Sequence, residues 1–135
     1  MRQPEQQFWN LLKKHLPGEV SRVENICESG MPDVNGTWRG LDYWIELKVC
    51  DNKNKLRPVK SLLRTEQSVW ITRRMRHGCR VYVFVRYPDK IAMYHAIGST
   101  FDMMGVYAKE RNSFDWGSIE LNLTDDILYR KLWSK

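Results

Sequence analysis

The apolar positions along this chain change period several times, and each change predicts an element. From Pro4 to Leu16, Phe8, Leu11, Leu12, His15 and Leu16 recur at spacings of three and four. That stripe predicts an amphipathic helix, with Pro4 in its first turn and Pro17-Gly18 ending it. Glu19 to Cys27 reads as a strand with Val20, Arg22, Glu24 and Ile26 on one face, and Glu28-Ser29-Gly30 makes the bend after it. Pro32 to Trp38 and Leu41 to Leu47 then predict a hairpin. Two turns compete for it. Asn35-Gly36 is the stronger hairpin signal, but Arg39-Gly40 leaves both arms long enough to pair and is preferred.

Cys50 to Pro58 shows no apolar period and reads as a basic loop. A helix follows, with Thr65 as N-cap, running to Arg76 or His77, and Gly78 suits its C-terminal cap. Arg80 to Arg86 is apolar on both faces, which predicts a central strand. Tyr87 to Lys90 makes a turn and Ile91 to Ile97 returns as a strand. Ser99 to Glu110 is expected to be a helix capped by Ser99, with Asp102 at its third position. Phe114 to Leu121 reads as strand or coil. Thr124-Asp125-Asp126 opens a last helix whose stripe is Ile127, Leu128, Leu132 and Trp133, with Arg130 and Lys131 near its end.

Composition narrows the class. A chain of 135 residues with 42% hydrophobic and 12% aromatic content suits one folded domain, and disorder is excluded. No linker, repeat or low-complexity segment divides residues 1–135; a core of about 1–97 and an extension of about 98–135 are expected. There is no run of 18 apolar residues and no charged-then-apolar leader, so neither a membrane span nor a secretory signal is read. Cys27, Cys50 and Cys79 are odd in number and lack Cys-x-x-Cys spacing, which suits reduced thiols in a cytoplasmic setting. His15, His77 and His95 form no ligand motif.

Charge placement then points to a partner. Leu47 to Arg86 holds eleven lysines and arginines against Asp51 and Glu66, a net of +9 in a chain whose total is +6. Such segregation is what a phosphate-binding surface needs. No amphipathic apolar face accompanies the charges, so nucleic acid is a better partner than a membrane. Arg73, Arg74 and Arg76 have a second explanation, since cations favour the C-terminal turn of a helix.

The chemistry is carried by a strand. In Tyr43 to Val49, Ile45, Leu47 and Val49 share one face, so Glu46 and Lys48 share the other. A carboxylate and an ammonium in an apolar strand are costly to keep buried unless paired. The hairpin brings Asp33 across from Glu46 and Lys48. Two facing carboxylates suit a hard cation, Mg²⁺ with Mn²⁺ as substitute, and the absence of thiolate or imidazole partners argues against zinc. Lys48 then orients or deprotonates a water. The alternative is a solvated ion pair on a strand, with Pro32-Asp33 as a simple turn.

Pro32-Asp33 followed by Glu46-x-Lys48 in an apolar strand resembles the signature of the PD-(D/E)xK nuclease superfamily. The frame from Ser29-Gly30-Met31-Pro32-Asp33 through Leu63-Arg64-Thr65-Glu66-Gln67-Ser68-Val69-Trp70 to Gly78 is similar to the VRR-NUC (virus-type replication-repair nuclease) domain and to Holliday-junction resolvases. The resemblance covers about residues 1–97. It implies an α/β, restriction-endonuclease-like core in the order αβββαβ, with a mixed sheet flanked by helices. It also implies a magnesium-dependent DNA endonuclease of replication, recombination and repair, acting on branched DNA as a homodimer.

For the site, the resemblance implies Asp33, Glu46 and the Leu47 carbonyl as metal ligands, with Lys48 and Gln67 as catalytic partners. Gln67 is expected to bond Lys48 or a metal-bound water. Glu5 and Glu24 are its acidic helpers, and Glu5 equally suits a helix N-terminus. Arg22, Lys53, Lys55, Arg57, Lys60, Arg64, Arg73 and Arg74 are expected to hold DNA. An accessory DNA-binding protein without catalysis, an RNA-processing nuclease and a restriction-type nuclease stay open.

Overall fold

The structure, a computed structural model, describes residues 3–23, 29–51, 55–97 and 100–129. It is a six-stranded mixed sheet with helices on both faces. Helix α1 (Gln3–Leu12), continued by a 3-10 turn over Lys13–His15, is followed by strands β1 (Glu19–Arg22), β2 (Val34–Trp38) and β3 (Leu41–Val49). A short α2 (Val59–Leu62) and α3 (Thr65–Met75) cross over to β4 (Arg80–Tyr87). Then come β5 (Lys90–Ile97), β6 (Thr100–Ala108) and α4 (Trp116–Tyr129). The strands lie in sequence order, and only β3 and β4 run parallel. With α2 added, the expected αβββαβ order is present.

The hairpin closes at Arg39-Gly40. Trp38 pairs with Leu41 across it, and φ is 54° at Arg39 and 77° at Gly40. Positive φ at both central residues is the turn whose twist matches the strands. The competing Asn35-Gly36 lies inside β2, where Asn35 Nδ2 donates to Tyr43 O at 3.2 Å. β4 is buried along most of its length, as a central strand should be.

Each face has its own core. Phe8, Trp9 and Leu12 of α1 and Ile119, Leu123 and Ile127 of α4 pack on Tyr43, Ile45, Leu47, Tyr82 and Phe84. On the other face Trp70, Ile71 and Met75 of α3 and Val59 of α2 pack on Val81, Val83, Val85 and Tyr94. Alternation along β3 therefore turns Glu46 and Lys48 toward the α2–α3 side.

Three expectations are corrected. Ser99 to Glu110 is not a helix: Thr100–Ala108 forms β6, antiparallel to β5. Met93 pairs with Gly105 but Tyr94 with Met103, so Met104 is an extra residue in a bulge. The bulge resets the alternation and leaves Phe101, Met104 and Tyr107 three apart, a spacing that imitates a helix. The last helix starts at Trp116 and not at Thr124, and it absorbs most of the segment read as strand or coil. Asp115 caps it, accepting Ser118 N at 3.1 Å and Ser118 Oγ at 2.7 Å. Finally, Arg64 and not Thr65 precedes the first turn of α3. The residues expected to finish the first strand and the last helix, 24–28 and 130–135, lie outside the described residues.

α4 is fastened by polar groups as well. Tyr82 Oη donates to Asp126 Oδ2 at 2.6 Å, and His95 Nδ1 lies 2.9 Å from Asp126 Oδ1. Arg80 Nε donates to Ile127 O at 2.9 Å. Among the described residues no helix is long and apolar enough to cross a membrane.

Candidate active site

Asp33 and Glu46 come together at the start of β2 and the last third of β3. The Asp33 backbone carbonyl accepts Val23 N at 2.7 Å, and its side-chain Oδ2 accepts Leu47 N at 2.9 Å. The β2–β3 ladder begins at Val34, opposite Ile45. Beyond it, the Asp33 side chain stands in for a strand residue and satisfies an amide that the ladder no longer reaches. In a strand the N–H and C=O of one residue face the same edge, so the Leu47 carbonyl faces the edge that holds Asp33.

Glu46 is buried, with 3% of its surface exposed. Gln67, at 4% exposure, donates Nε2 to Glu46 Oε2 at 2.7 Å. Its Oε1 accepts Arg64 N at 2.9 Å, closing the first turn of α3. Gln67 thus ties the start of a helix to the carboxylate; its expected partner is Lys48 or a metal-bound water, and here it bonds Glu46. Lys48 Nζ approaches the same Oε2 at 3.6 Å. Glu46 Oε1 is buried with no hydrogen-bond partner among the described residues.

The electrostatics follow from burial. Desolvation pushes the Glu46 carboxyl up to about 8, the charge of Asp33 adds to that, and Lys48 opposes it. Asp33 is also raised by burial, while the Leu47 amide and Lys48 pull it back and Glu5 pushes it up. The two acids act on each other, the charge of Asp33 adding to the upward shift of Glu46. Glu5, from the first turn of α1, reaches the neighbourhood of Asp33 with one buried carboxylate oxygen. Among the described residues no group of three or more His, Cys, Asp or Glu that could hold a metal ion is found, and Glu5 acts on Asp33 through its charge.

Gly30 makes this convergence possible. Its φ is +86°, and a Cβ there would lie 2.0 Å from Glu66 O in the first turn of α3. A residue with a side chain would push the strand-entry loop off the helix and carry Asp33 away from Gln67 and Glu46.

A hard divalent cation fits this donor set. It is all oxygen, one buried oxygen lacks a donor, and the two carboxylates repel each other until a cation offsets their charge. Asp33, Glu46 and the Leu47 carbonyl are the groups that could hold it.

The basic residues fall unevenly around the pair. Lys55, Arg57, Lys60, Arg64 and Arg73 are exposed on the loop, α2 and α3, on the side that Glu46 faces. Arg74 lies over the Trp70 ring at 4.7 Å, and Arg22 sits on the edge strand β1. Glu24 and Lys53 lie outside the described residues.

No protein-family model matches the sequence, and no curated protein does. Among solved structures, the chain is similar to Hjc of Archaeoglobus fulgidus, a Holliday junction resolvase from an archaeal hyperthermophile. The match covers 67% of this chain and 73% of that one at 20% identity, with a TM-score of 0.44. At that distance the likeness carries no weight for function.

Proposed function

We propose that this protein is a metal-dependent nuclease that hydrolyses phosphodiester bonds in DNA. The observation that carries the reading is the buried Glu46 carboxylate beside Asp33, with one oxygen lacking any donor. Burying such a group costs several kcal/mol unless a cation or a proton completes it. In this reading Asp33, Glu46 and the Leu47 carbonyl hold Mg²⁺, for which Mn²⁺ substitutes. The bound cation supplies Lewis acidity and neutralises charge building on the phosphate. Lys48, on the same strand face, orients the attacking water or takes its proton. Gln67 fixes the Glu46 carboxylate through the 2.7 Å bond, so that its other oxygen points in one direction. Exposed Lys55, Arg57, Lys60, Arg64 and Arg73 hold the phosphate backbone.

The finer reading is a cut in branched DNA, such as a four-way junction, made by a homodimer whose two sites act on two strands. The test uses a labelled four-way junction, a flap, a linear duplex and a matched RNA with wild type and Glu46→Gln in Mg²⁺. Wild type is expected to cut the branched DNA, and Glu46→Gln to bind it without cutting. Equal cutting by both proteins rejects the site. No cutting of any substrate by wild type leaves a DNA-binding protein without catalysis, and preferential cutting of RNA replaces the substrate.

A further inference from the structure

The sheet face that carries Glu46 also bounds a cavity, of which the reading above uses only the two cations Arg57 and Lys60. Its volume is about 570 Å³, and it lies between the start of α2 and strands β5 and β6. Tyr94 and Phe101 give it aromatic walls, Met103 and Val59 aliphatic ones, and Arg57 and Lys60 add two cations to its lining. Among the described residues no acidic side chain lines it. Met103 keeps 48% of its surface exposed, and both cations are exposed.

Its position relative to the carboxylates follows from the strand register. Glu46 lies opposite Val83, Val83 opposite Tyr94, and Tyr94 opposite Met103. With strands about 4.8 Å apart, Tyr94 stands roughly 10 Å from Glu46 across the sheet and Met103 roughly 14 Å. Stacked nucleotides advance about 3.4 Å along a strand, so the gap corresponds to roughly three or four of them. The route between is marked by charge. Lys60 lines the cavity, Arg64 four residues on is exposed, and Arg64 N bonds the Gln67 side chain that grips Glu46.

We infer that this cavity docks one unstacked base of the nucleic-acid strand, with Arg57 and Lys60 on the flanking phosphates. An aromatic wall matches the flat face that every base presents, and does so without regard to sequence. Two cations and no acid beside an apolar hollow match a ligand that carries phosphate next to a planar ring. An apolar peptide would not call for them. The inference rests on the nucleic-acid part of the proposed function and is independent of whether the strand is cut.

An abasic scan tests it. Flap DNA carrying one abasic residue at successive distances from the branch is bound to wild-type protein without divalent cation, and affinity is read by fluorescence anisotropy. Affinity is expected to fall about tenfold at one position, the loss of one stacked base, and to change little elsewhere. In Phe101→Ala the intact flap binds about tenfold more weakly and the dependence on position disappears. Met103→Glu, at an exposed site, is expected to do the same and serves if Phe101→Ala does not fold. A flat scan from a wild-type protein that still cuts the intact flap in Mg²⁺ overturns the base-docking cavity and leaves the nuclease standing. Failure to bind any DNA overturns both.

Discussion

Each face of the sheet holds a carboxylate, buried Glu46 on one side and half-buried Asp126 on the other, and the two are finished differently. On the α1–α4 side, Asp126 has both oxygens engaged, one by Tyr82 and one by His95. An ionised carboxylate only accepts, so Nδ1 of His95 carries the hydrogen there. On the α2–α3 side, Glu46 has one oxygen engaged by Gln67 and the other engaged by nothing among the described residues. The charges differ as well. Helix α4 carries Glu120, Asp125 and Asp126 and no lysine or arginine, whereas α2 and α3 carry Lys60, Arg73 and Arg74 against Glu66. A satisfied carboxylate on an acidic helix is a fastening. An unsatisfied one beside basic helices is poised for a ligand that brings positive charge to it and negative charge over it.

Substituting the two acids separates these roles most sharply. Glu46→Gln is expected to lower the cleavage rate of a branched substrate by about 10³-fold or more, since a cation's charge stabilisation amounts to several kcal/mol. The isosteric amide keeps the shape, so the variant should stay folded and bind DNA. Single-turnover cleavage beside an anisotropy titration measures both.

The pH dependence of stability opposes the two faces next. Glu46 titrates near 4.5 when solvated and is held up to about 8 in the fold. A raised acid binds its proton more tightly in the native state than in the unfolded chain. Its contribution is therefore full below about pH 4.5 and is lost as pH rises through 8. Asp33 shifts in the same direction. With about 1.4 kcal/mol for each pKa unit, the loss is on the order of a few kcal/mol. Thermal unfolding in a chelator should show Tm falling from pH 5 to pH 8. Millimolar Mg²⁺ or Mn²⁺ should restore it at pH 8 and do little at pH 5. In Glu46→Gln both effects should largely vanish; a wild-type Tm that rises over this range would refute the buried-acid account.

Asp126→Ala belongs to the other face and comes third. It removes the acceptor that the Tyr82 hydroxyl and the His95 ring share, which costs about 2–3 kcal/mol. Urea unfolding should show that loss, while cleavage per folded molecule stays close to wild type. A fall in rate without a fall in stability would join the two faces into one functional unit.

The two faces also differed in how legible they were. The site side is built from local signals. Alternation in Tyr43 to Val49 separates Glu46 from Ile45, and the Arg39-Gly40 turn fixes which residues lie opposite it. Gln67 stands at the third position of its helix, where a side chain can reach back to Arg64 N and also across to Glu46. Its bond to Glu46 is not legible, because nothing in a sequence ranks Lys48 or a metal-bound water against Glu46 as its target. The α4 side depends on distant pairings. Asp126 meets Tyr82 and His95 across 44 and 31 residues, and none of the three belongs to a local motif. Thr124-Asp125-Asp126 imitates a helix start, yet it lies mid-helix, because Ile119, Leu123 and Ile127 continue one stripe through it. The capping signal that decides the matter, Asp115 three before Ser118, was present but weaker to the eye than three polar residues in a row. β6 was hidden by its own bulge.

The smallest expected effect tests the charge difference alone. Arg73 is exposed on α3 and Lys14 is exposed beyond α1, on opposite faces of the sheet. If phosphates run along the α2–α3 side, removing one contact there releases one fewer counterion on binding. Arg73→Gln should weaken DNA binding a few-fold, uniformly across sequences, and make the slope of log affinity against log salt shallower by about 1. Lys14→Gln removes the same formal charge from the opposite side and should leave the slope unchanged. Long-range attraction alone cannot separate the two variants, because the protein's net charge is the same in both, so only direct phosphate contact predicts the difference. Equal slopes for both would mean that the basic surface attracts DNA without a defined track, and the docking route past Lys60 and Arg64 would lose its support.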